Sequence, residues 1–462
     1  MERVFLFEGC VEDQNKSPLE GLNGSYPLGI AYLDSVLSEK GMKVITKDYA
    51  NWQKGSFLYD VKEICKMFKP EVVGISVMSM TRVSTYKAIK LIKSLDKGIK
   101  IVLGGMHSSM MYKQLLENFE IDAICIGESE ETILELVDAL DKGTSLSKVK
   151  GIVYKEKNKI KVTPKRELIK NLDDIPFPNH KAFMNKKRIR AFILSSRGCP
   201  NQCSFCCLHI ISHRRYRIRS YKSVVDEIEF LSKKFPQIKE IEFVDDTLIL
   251  DNKRVIDICK EIIKRKIKKR FYCSGRVKPV SKEMFYWMEK AGFVEIRFGI
   301  ESASKKIMAS INKGISQEDI MNAYNTIKPF KKIRVVKYLM VGFPGETDET
   351  INETIEFTKK LQKIIPMDFF TATPLWVYPG TEIYDIMKSK GKINDDYWLT
   401  NKPCPLYTVE HSEEKLKEMA NRIAIETAAA QGKIFFIRLG LKKIITHPKY
   451  YFSRVKYLVR RK

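Results

Sequence analysis

Apolar residues in this chain fall into short runs, separated by longer stretches in which they recur every three or four positions. In the first third, residues 4–7, 44–48, 72–77, 101–103 and 123–126 read as strands. Residues 28–40, the region near 85–95 and a segment running through Leu140 read as helices. In the first of these helices Ile30, Leu33, Val36 and Leu37 make one apolar stripe, and Gly41 stands where a left-handed cap ends a helix. Strands with apolar residues at consecutive positions need cover on both faces. The alternation with helices therefore predicts an α/β domain over residues 1–145, a parallel, doubly wound, Rossmann-like sheet.

Residues 146–185 read as a linker, with the turn formers Asp173-Asp174-Ile175-Pro176-Phe177-Pro178-Asn179 near its end. Over 186–400 the strand and helix alternation restarts. Strands are expected at 192–195, 241–244, 271–274, 294–299, 335–341 and 369–375. Six right-handed βα units of this kind curl into a TIM-type barrel, closed or partial. Residues 401–462 read as a helical, basic C-terminal extension. From Gln431 to Lys462 there are ten Lys or Arg and no acidic residue, interleaved with aromatic and aliphatic side chains and broken at Gly440 and Pro448. Two readings stand for it: an interfacial helix drawn to anionic lipid, or a helix whose apolar side packs on the barrel with its lysines in water.

Composition narrows the picture. The chain has 462 residues, of which 44% are hydrophobic, enough for two full domains. Its longest apolar stretches fall well short of the roughly 20 residues that cross a bilayer. No secretory pattern opens the sequence, and seven of its 10 cysteines are scattered without regular spacing, so a reducing, cytoplasmic setting is expected. The net charge of +26 suits a phosphate-rich partner, but the lysines are spread along every expected helix and no basic-aromatic platform interrupts them. Nucleic acid is not the expected partner.

The chemistry concentrates in Arg197-Gly198-Cys199-Pro200-Asn201-Gln202-Cys203-Ser204-Phe205-Cys206-Cys207, where Cys199, Cys203 and Cys206 stand at C-x-x-x-C-x-x-C spacing. Chance gives such a triplet in a chain of this cysteine content about 1 time in 200. Clustered thiolates hold iron-sulfur cubanes, usually four to a cluster, so a loop that supplies three leaves one iron open to bind something else. A zinc knuckle is the other reading, and its fourth ligand would come from Cys207, His209 or His213.

This loop resembles the signature of the radical S-adenosylmethionine (radical SAM) superfamily, with Phe205 matching the aromatic residue usual before the last ligand. Four further segments resemble that family in the right order: Phe243-Val244-Asp245-Asp246, Cys273-Ser274-Gly275-Arg276, Arg297-Phe298-Gly299-Ile300-Glu301-Ser302-Ala303-Ser304 and Gly342-Phe343-Pro344-Gly345-Glu346-Thr347. The resemblance implies a [4Fe-4S] cluster on Cys199, Cys203 and Cys206, with SAM on its fourth iron. It places Phe205 and the acidic turn with Asp246 among the cofactor-binding residues, Glu301 and Ser302 near the ribose and methionine end of SAM, Arg276 near its carboxylate, and the turn from Gly342 to Gly345 beside the adenine. Asp246 and Ser302 also suit plain helix caps.

The first domain resembles the cobalamin-binding domain that precedes many radical SAM barrels. The residues carrying this are Tyr26-Pro27-Leu28-Gly29, Gly104-Gly105-Met106-His107 and Gly127-Glu128-Ser129-Glu130, with Ser76, Gly104 and Gly105 where that fold recognises the buried nucleotide tail of cobalamin. One departure is plain: the D-x-H-x-x-G element is absent, and no histidine stands between Glu8 and Ser25. Cobalamin held here is expected to have its own base displaced and no protein histidine on cobalt, with His107 either packing or supporting a residue that touches the ligand.

Taken together, the resemblances imply a cobalamin-dependent radical SAM methyltransferase. A 5′-deoxyadenosyl radical would activate an unactivated C–H bond, and methylcobalamin would supply the methyl group. Ring formation or oxidation without methyl transfer is the nearest alternative, and a transfer-RNA methylthiotransferase a further one. Expected partners are a small-molecule or lipid substrate and an external low-potential electron donor, with peripheral membrane contact through the tail.

Overall fold

The computed structural model describes residues 1–11, 25–49, 56–366 and 369–429. The basic segment 431–462 lies outside them, and so does its expected membrane role. The chain divides into two compact units, one of residues 1–248, 261–271 and 377–405, the other of residues 249–260, 272–376 and 406 onward.

In the first unit the expected alternation is present: β1 (Arg3–Glu8), α1 (Leu28–Glu39), β2 (Lys43–Asp48), α2 (Ser56–Phe68), β3 (Val72–Ser76), α3 (Arg82–Leu95), β4 (Lys100–Gly104), α4 (Met106–Asn118), β5 (Ala123–Cys125) and α5 (Glu130–Lys142). The strands lie in the order β2-β1-β3-β4-β5, all parallel. Val4, Phe5, Leu6 and Phe7 are all fully buried, which is why β1 carries no polar alternation. In α1, Ile30, Val36 and Leu37 are buried, Leu33 packs against them, and Gly41 takes the left-handed conformation (φ 83°) just past the helix.

The stretch expected as a linker holds more structure than its composition suggests. A hairpin of β6 (Ile152–Glu156) and β7 (Lys159–Val162) adds two antiparallel strands to the sheet beside β5. Its outer strand alternates lysine with Ile160 and Val162 and is largely solvent-facing, so it lacks the apolar run that marks the others.

Six βα units follow. The first unit contains β8 (Arg190–Ile193), the short antiparallel pair β9 (Ser196–Arg197) and β10 (Arg217–Ile218), α6 (His209–Ser212), α7 (Tyr221–Lys234) and β11 (Glu240–Phe243), with β8 and β11 parallel. Helix α8 (Asn252–Lys264) leads to β12 (Arg270–Gly275), then α9 (Lys282–Ala291), β13 (Phe293–Glu301), α10 (Lys305–Ser310), α11 (Gln317–Ile327), β14 (Arg334–Val341), α12 (Asp348–Ile364) and β15 (Phe369–Pro374). In the second unit β12, β13, β14 and β15 lie side by side, the last two pairings parallel. Helix α13 (Glu382–Ser389) returns to the first unit, and α14 (Glu413–Ala429) is the described part of the expected helical extension. Among the described residues no helix is long and apolar enough to cross a membrane.

Candidate active site

The strand order reverses between β1 and β3, and in open parallel sheets ligands sit at the carboxyl ends on either side of such a point. A cavity of about 400 Å³ opens there, lined by Leu6, Glu8, Ile75, Ser76, Val102, Gly104, Gly105 and Gly127 at the strand ends and by Gly29, Ile30 and Leu33 of α1. The three tail-site residues expected from sequence, Ser76, Gly104 and Gly105, therefore share one wall.

The glycines are of two kinds. At Gly29 and Gly104 an added Cβ would meet no atom within 4 Å, so packing does not require glycine there and the open space belongs to the cavity; Gly127 also has open space, but its φ of 82° favours glycine. Gly105 is backbone-determined: its φ is 91°, and a Cβ would sit 2.9 Å from the Val77 amide nitrogen. An apolar slot kept clear in this way fits the nucleotide tail of a cobalamin better than its whole corrin.

Glu8 ends β1 with its carboxyl buried except where it opens on to the cavity. Ser76 Oγ donates to its Oε2 at 3.0 Å. Burial raises its pKa to about 7, opposed by the Ser76 hydrogen bond and reinforced by the charge of Asp48.

The opposite wall comes from the flank of the cysteine loop: Leu194, Arg197, Gly198, Leu208, Ile211, Arg217 and Asp246. Arg197 donates to Glu130 at 2.6 Å and to Glu128 at 3.2 Å, and its guanidinium lies 5.0 Å from the Tyr32 ring centre. Arg217 donates to both oxygens of Glu128, at 2.6 and 2.8 Å. Burial alone would push the Glu128 carboxyl up, but the Arg217 hydrogen bond and the charges of both arginines outweigh it and hold the pKa below the usual range. Gly198 is fixed by two demands. Its φ is 88°, and a Cβ would run into the Arg215 carbonyl across the β9–β10 pair.

The acidic turn after β11 holds this loop. Asp245 accepts from Ser195 N (3.1 Å), Ser195 Oγ (2.7 Å) and Ser196 Oγ, and Asp246 accepts from Gly198 N at 2.9 Å. Asp246 is thus neither a helix cap nor buried in the core. Its carboxylate faces the cavity, where desolvation and the neighbouring Asp245 raise its pKa to about 6, the Gly198 amide opposing them. Water reaching the open cavity weakens that rise.

Cys199, Cys203 and Cys206 line a second cavity of about 260 Å³, with Asn201, Ser204, His209, Arg214 and, from the start of α13, Glu382 and Asp385. The Cys206 amide bonds to the Cys203 carbonyl at 3.0 Å, turning the loop so that all three thiols face one space. Phe205 is half-buried beside them. Asn201 Nδ2 donates to Cys199 Sγ at 3.1 Å. Burial pushes the Cys206 thiol up to about 11, with the neighbouring thiols adding to it and a backbone amide opposing. Such a set becomes thiolate only when a cation takes the place of the protons. Among the described residues no three His, Cys, Asp or Glu converge on a single ion. A cubane asks for a different arrangement, with each thiolate on its own iron.

In the second unit the structure brings together Arg276, Glu301 and a lysine that sequence reasoning missed. Lys313 Nζ lies 2.9 Å from Glu301 Oε1, both largely buried, and Arg276 Nη2 donates to the Lys313 carbonyl. Glu301 holds a positive φ of 67°, rare for a residue with a side chain and a mark of local constraint. Ser302 Oγ is 3.2 Å from Thr354 Oγ1 and accepts the Ser304 amide. The turn from Gly342 to Gly345 closes on its own Glu346, which accepts the amides of Gly342 and Phe343 and whose pKa burial raises to about 7.

His107 is fully buried, 3.0 Å from Ser79 Oγ and 3.3 Å from Tyr86 OH, and burial lowers its pKa to about 3. It is a neutral packing residue. Glu8, Asn201, Arg197 and Lys313 carried no local sequence signal beyond standing beside a motif.

Comparison with known proteins agrees with this geometry. Residues 193–358 match the radical SAM superfamily and residues 23–137 match the B12 binding domain. The chain is 36% identical over 365 residues to an uncharacterised methyltransferase of Pyrococcus horikoshii, covering 78% of each chain. It is 30% identical to the anaerobic magnesium-protoporphyrin IX monomethyl ester cyclase of Rubrivivax gelatinosus, covering 72% of this chain and 62% of that one. Its fold is similar to the methyltransferase TsrM from Kitasatospora setae solved with cobalamin and a [4Fe-4S] cluster, at a TM-score of 0.70 and 19% identity over 85% of this chain and 76% of that one.

Proposed function

Because this chain belongs to the radical SAM superfamily and carries a B12 binding domain ahead of its radical SAM domain, we propose that it transfers a methyl group to an unactivated carbon of a small molecule. The observation that carries the reading is the shared wall. The flank of the cysteine loop, from Arg197 to Arg217, is one side of the slot whose other side is the B12 binding domain. A chain built this way holds both cofactors against one loop.

In this reading Cys199, Cys203 and Cys206 hold the cluster, with Phe205 beside them. Ser76, Gly104 and Gly105 receive the cobalamin tail, and Arg276, Glu301, Ser302, Gly342 and Gly345 receive SAM. The bound group supplies one-electron cleavage of the sulfonium and a methyl carrier. The protein positions and excludes. Asp246 fixes Gly198 just before the first cluster thiol, and Arg197 ties that loop to α5. Arg276 and Lys313 offer positive charge for a carboxylate. Electrons come from an external low-potential donor.

Anaerobically reconstituted, reduced protein given methyl-labelled SAM and a small-molecule extract tests this. Label entering a product together with 5′-deoxyadenosine release supports it. Release of 5′-deoxyadenosine with no label transferred favours ring formation or oxidation, the reading that the cyclase relative supports. Membrane contact through residues 431–462 is a further part of the proposal, tested by vesicle sedimentation of the chain with and without that segment.

A further inference from the structure

The slot at the strand ends is lined mainly by apolar atoms, and at the end of β1 the Glu8 carboxyl opens into it. Glu8 Oε2 accepts the Ser76 hydroxyl, while Oε1 has no partner among the described residues. A carboxyl oxygen without a protein partner in a mostly apolar cavity becomes costly once a ligand excludes water, unless the ligand completes it. On the reading that this slot takes the cobalamin tail, the ligand offers there a benzimidazole, flat and apolar except for one ring nitrogen. That nitrogen has lost its metal once the base has left the cobalt.

We propose that Glu8 recognises the displaced lower base of the cobamide by donating a hydrogen bond from its carboxylic acid to the free ring nitrogen. Ser76 fixes the carboxyl by occupying Oε2, which leaves Oε1 to carry the proton offered to the ligand. The surroundings favour the acid form. Asp48 on β2 stands in register with Glu8 and repels a second negative charge. On β3 the neighbour is the neutral Ser76. The other charged groups around the cavity are Asp246 and the mutually paired Arg197, Arg217, Glu128 and Glu130. A benzimidazole nitrogen is a weaker base than a carboxylate held at a pKa near 7, so the proton stays on Glu8 and the bond is between neutral partners. Glu8 is then a specificity-determining residue for cobamides whose lower base carries an acceptor nitrogen.

Binding of three corrinoids to the full chain, followed by absorbance, decides this: cobalamin, a cobamide with a phenolic lower ligand, and cobinamide, which lacks the tail. The cost of lifting the base off cobalt is common to all variants and cancels when each corrinoid is compared across them. Glu8→Ala is expected to weaken cobalamin about 10-fold and leave the phenolic cobamide and cobinamide unchanged. Glu8→Gln, whose amide donates from nitrogen while its oxygen accepts Ser76, is expected to keep cobalamin affinity. Without any substitution, affinity for cobalamin falls as the pH passes about 7, and affinity for cobinamide does not. Equal weakening of all three corrinoids, or of none, or a wild-type pH dependence shared by cobinamide, overturns the role of Glu8 and leaves cobalamin binding standing. No binding of any corrinoid overturns both.

Discussion

Arg197 Nη2 lies 2.6 Å from Glu130 Oε1, so the residue two positions before Cys199 is bonded to the first turn of α5 in the B12 binding domain. Both side chains are nearly buried, at 14% and 8% exposure, so removing one partner costs more than it does at a surface ion pair. Breaking one partner leaves a charge uncompensated. Arg197→Ala is expected to cost about 3 kcal/mol in urea unfolding and to lower both iron content and cobalamin affinity. The Arg197→Ala, Glu130→Ala double variant should lose far less than the sum of the two single ones. Strict additivity would mean the pair does not couple the two sites.

Replacing Cys199, Cys203 or Cys206 by Ala is expected to abolish the iron-sulfur absorption after anaerobic reconstitution, while Cys207→Ala retains it. All four thiols are half-buried and close together, so the contrast is a test of geometry as well as motif. A Cys207→Ala protein without cluster beside a Cys206→Ala protein with one would reverse the ligand assignment.

Gly104→Val and Gly105→Ala should separate binding from folding. A side chain at Gly104 enters open space in the slot, so apo stability is expected to hold within about 0.5 kcal/mol while cobalamin binding is lost. At Gly105 the positive φ and the nearby Val77 backbone make even a methyl group strained, and the thermal midpoint is expected to fall. Tight cobalamin binding by Gly104→Val would place the tail elsewhere.

Much of this fold was legible because buried parallel strands are rich in apolar residues, and all six strands of the radical SAM domain overlap the expected segments, although β11 (Glu-Ile-Glu-Phe) and β13 interleave charged residues with the apolar ones. The β6–β7 hairpin escaped because an edge strand reading Lys-Ile-Lys-Val has one polar face and no run. The cysteine loop was legible as local spacing. The Arg197–Glu130 pair was not, since its partners are 67 residues apart and neither has a local reason to face the other. For Asp246 the turn was readable but not the role, because its bond to Gly198 reaches back across 48 residues. Lys313 was hidden in the same way, as an ordinary lysine in a lysine-rich chain until the fold set it against Glu301.

Glu346 gives a pH dependence with a defined sign. Burial raises its pKa from 4.5 to about 7, so the folded chain keeps a proton that the unfolded chain has already released. Its contribution to stability is fully present below about pH 4.5 and is lost as the pH rises to about 7. In Glu346→Gln that part of the slope should vanish from denaturant midpoints measured across this window. An unchanged slope would mean the group titrates normally.

One chain is expected to hold both a cluster and a cobalamin whose lower face no histidine touches. Among the described residues no histidine lines the slot, and His107 is closed in by Ser79 and Tyr86. The electron paramagnetic resonance spectrum of the Co(II) form, in anaerobically reconstituted protein, tests it most directly. A bound cobalt signal without nitrogen splitting from a lower ligand is expected. A nitrogen-split spectrum, or no protein-bound cobalt at all, would contradict it.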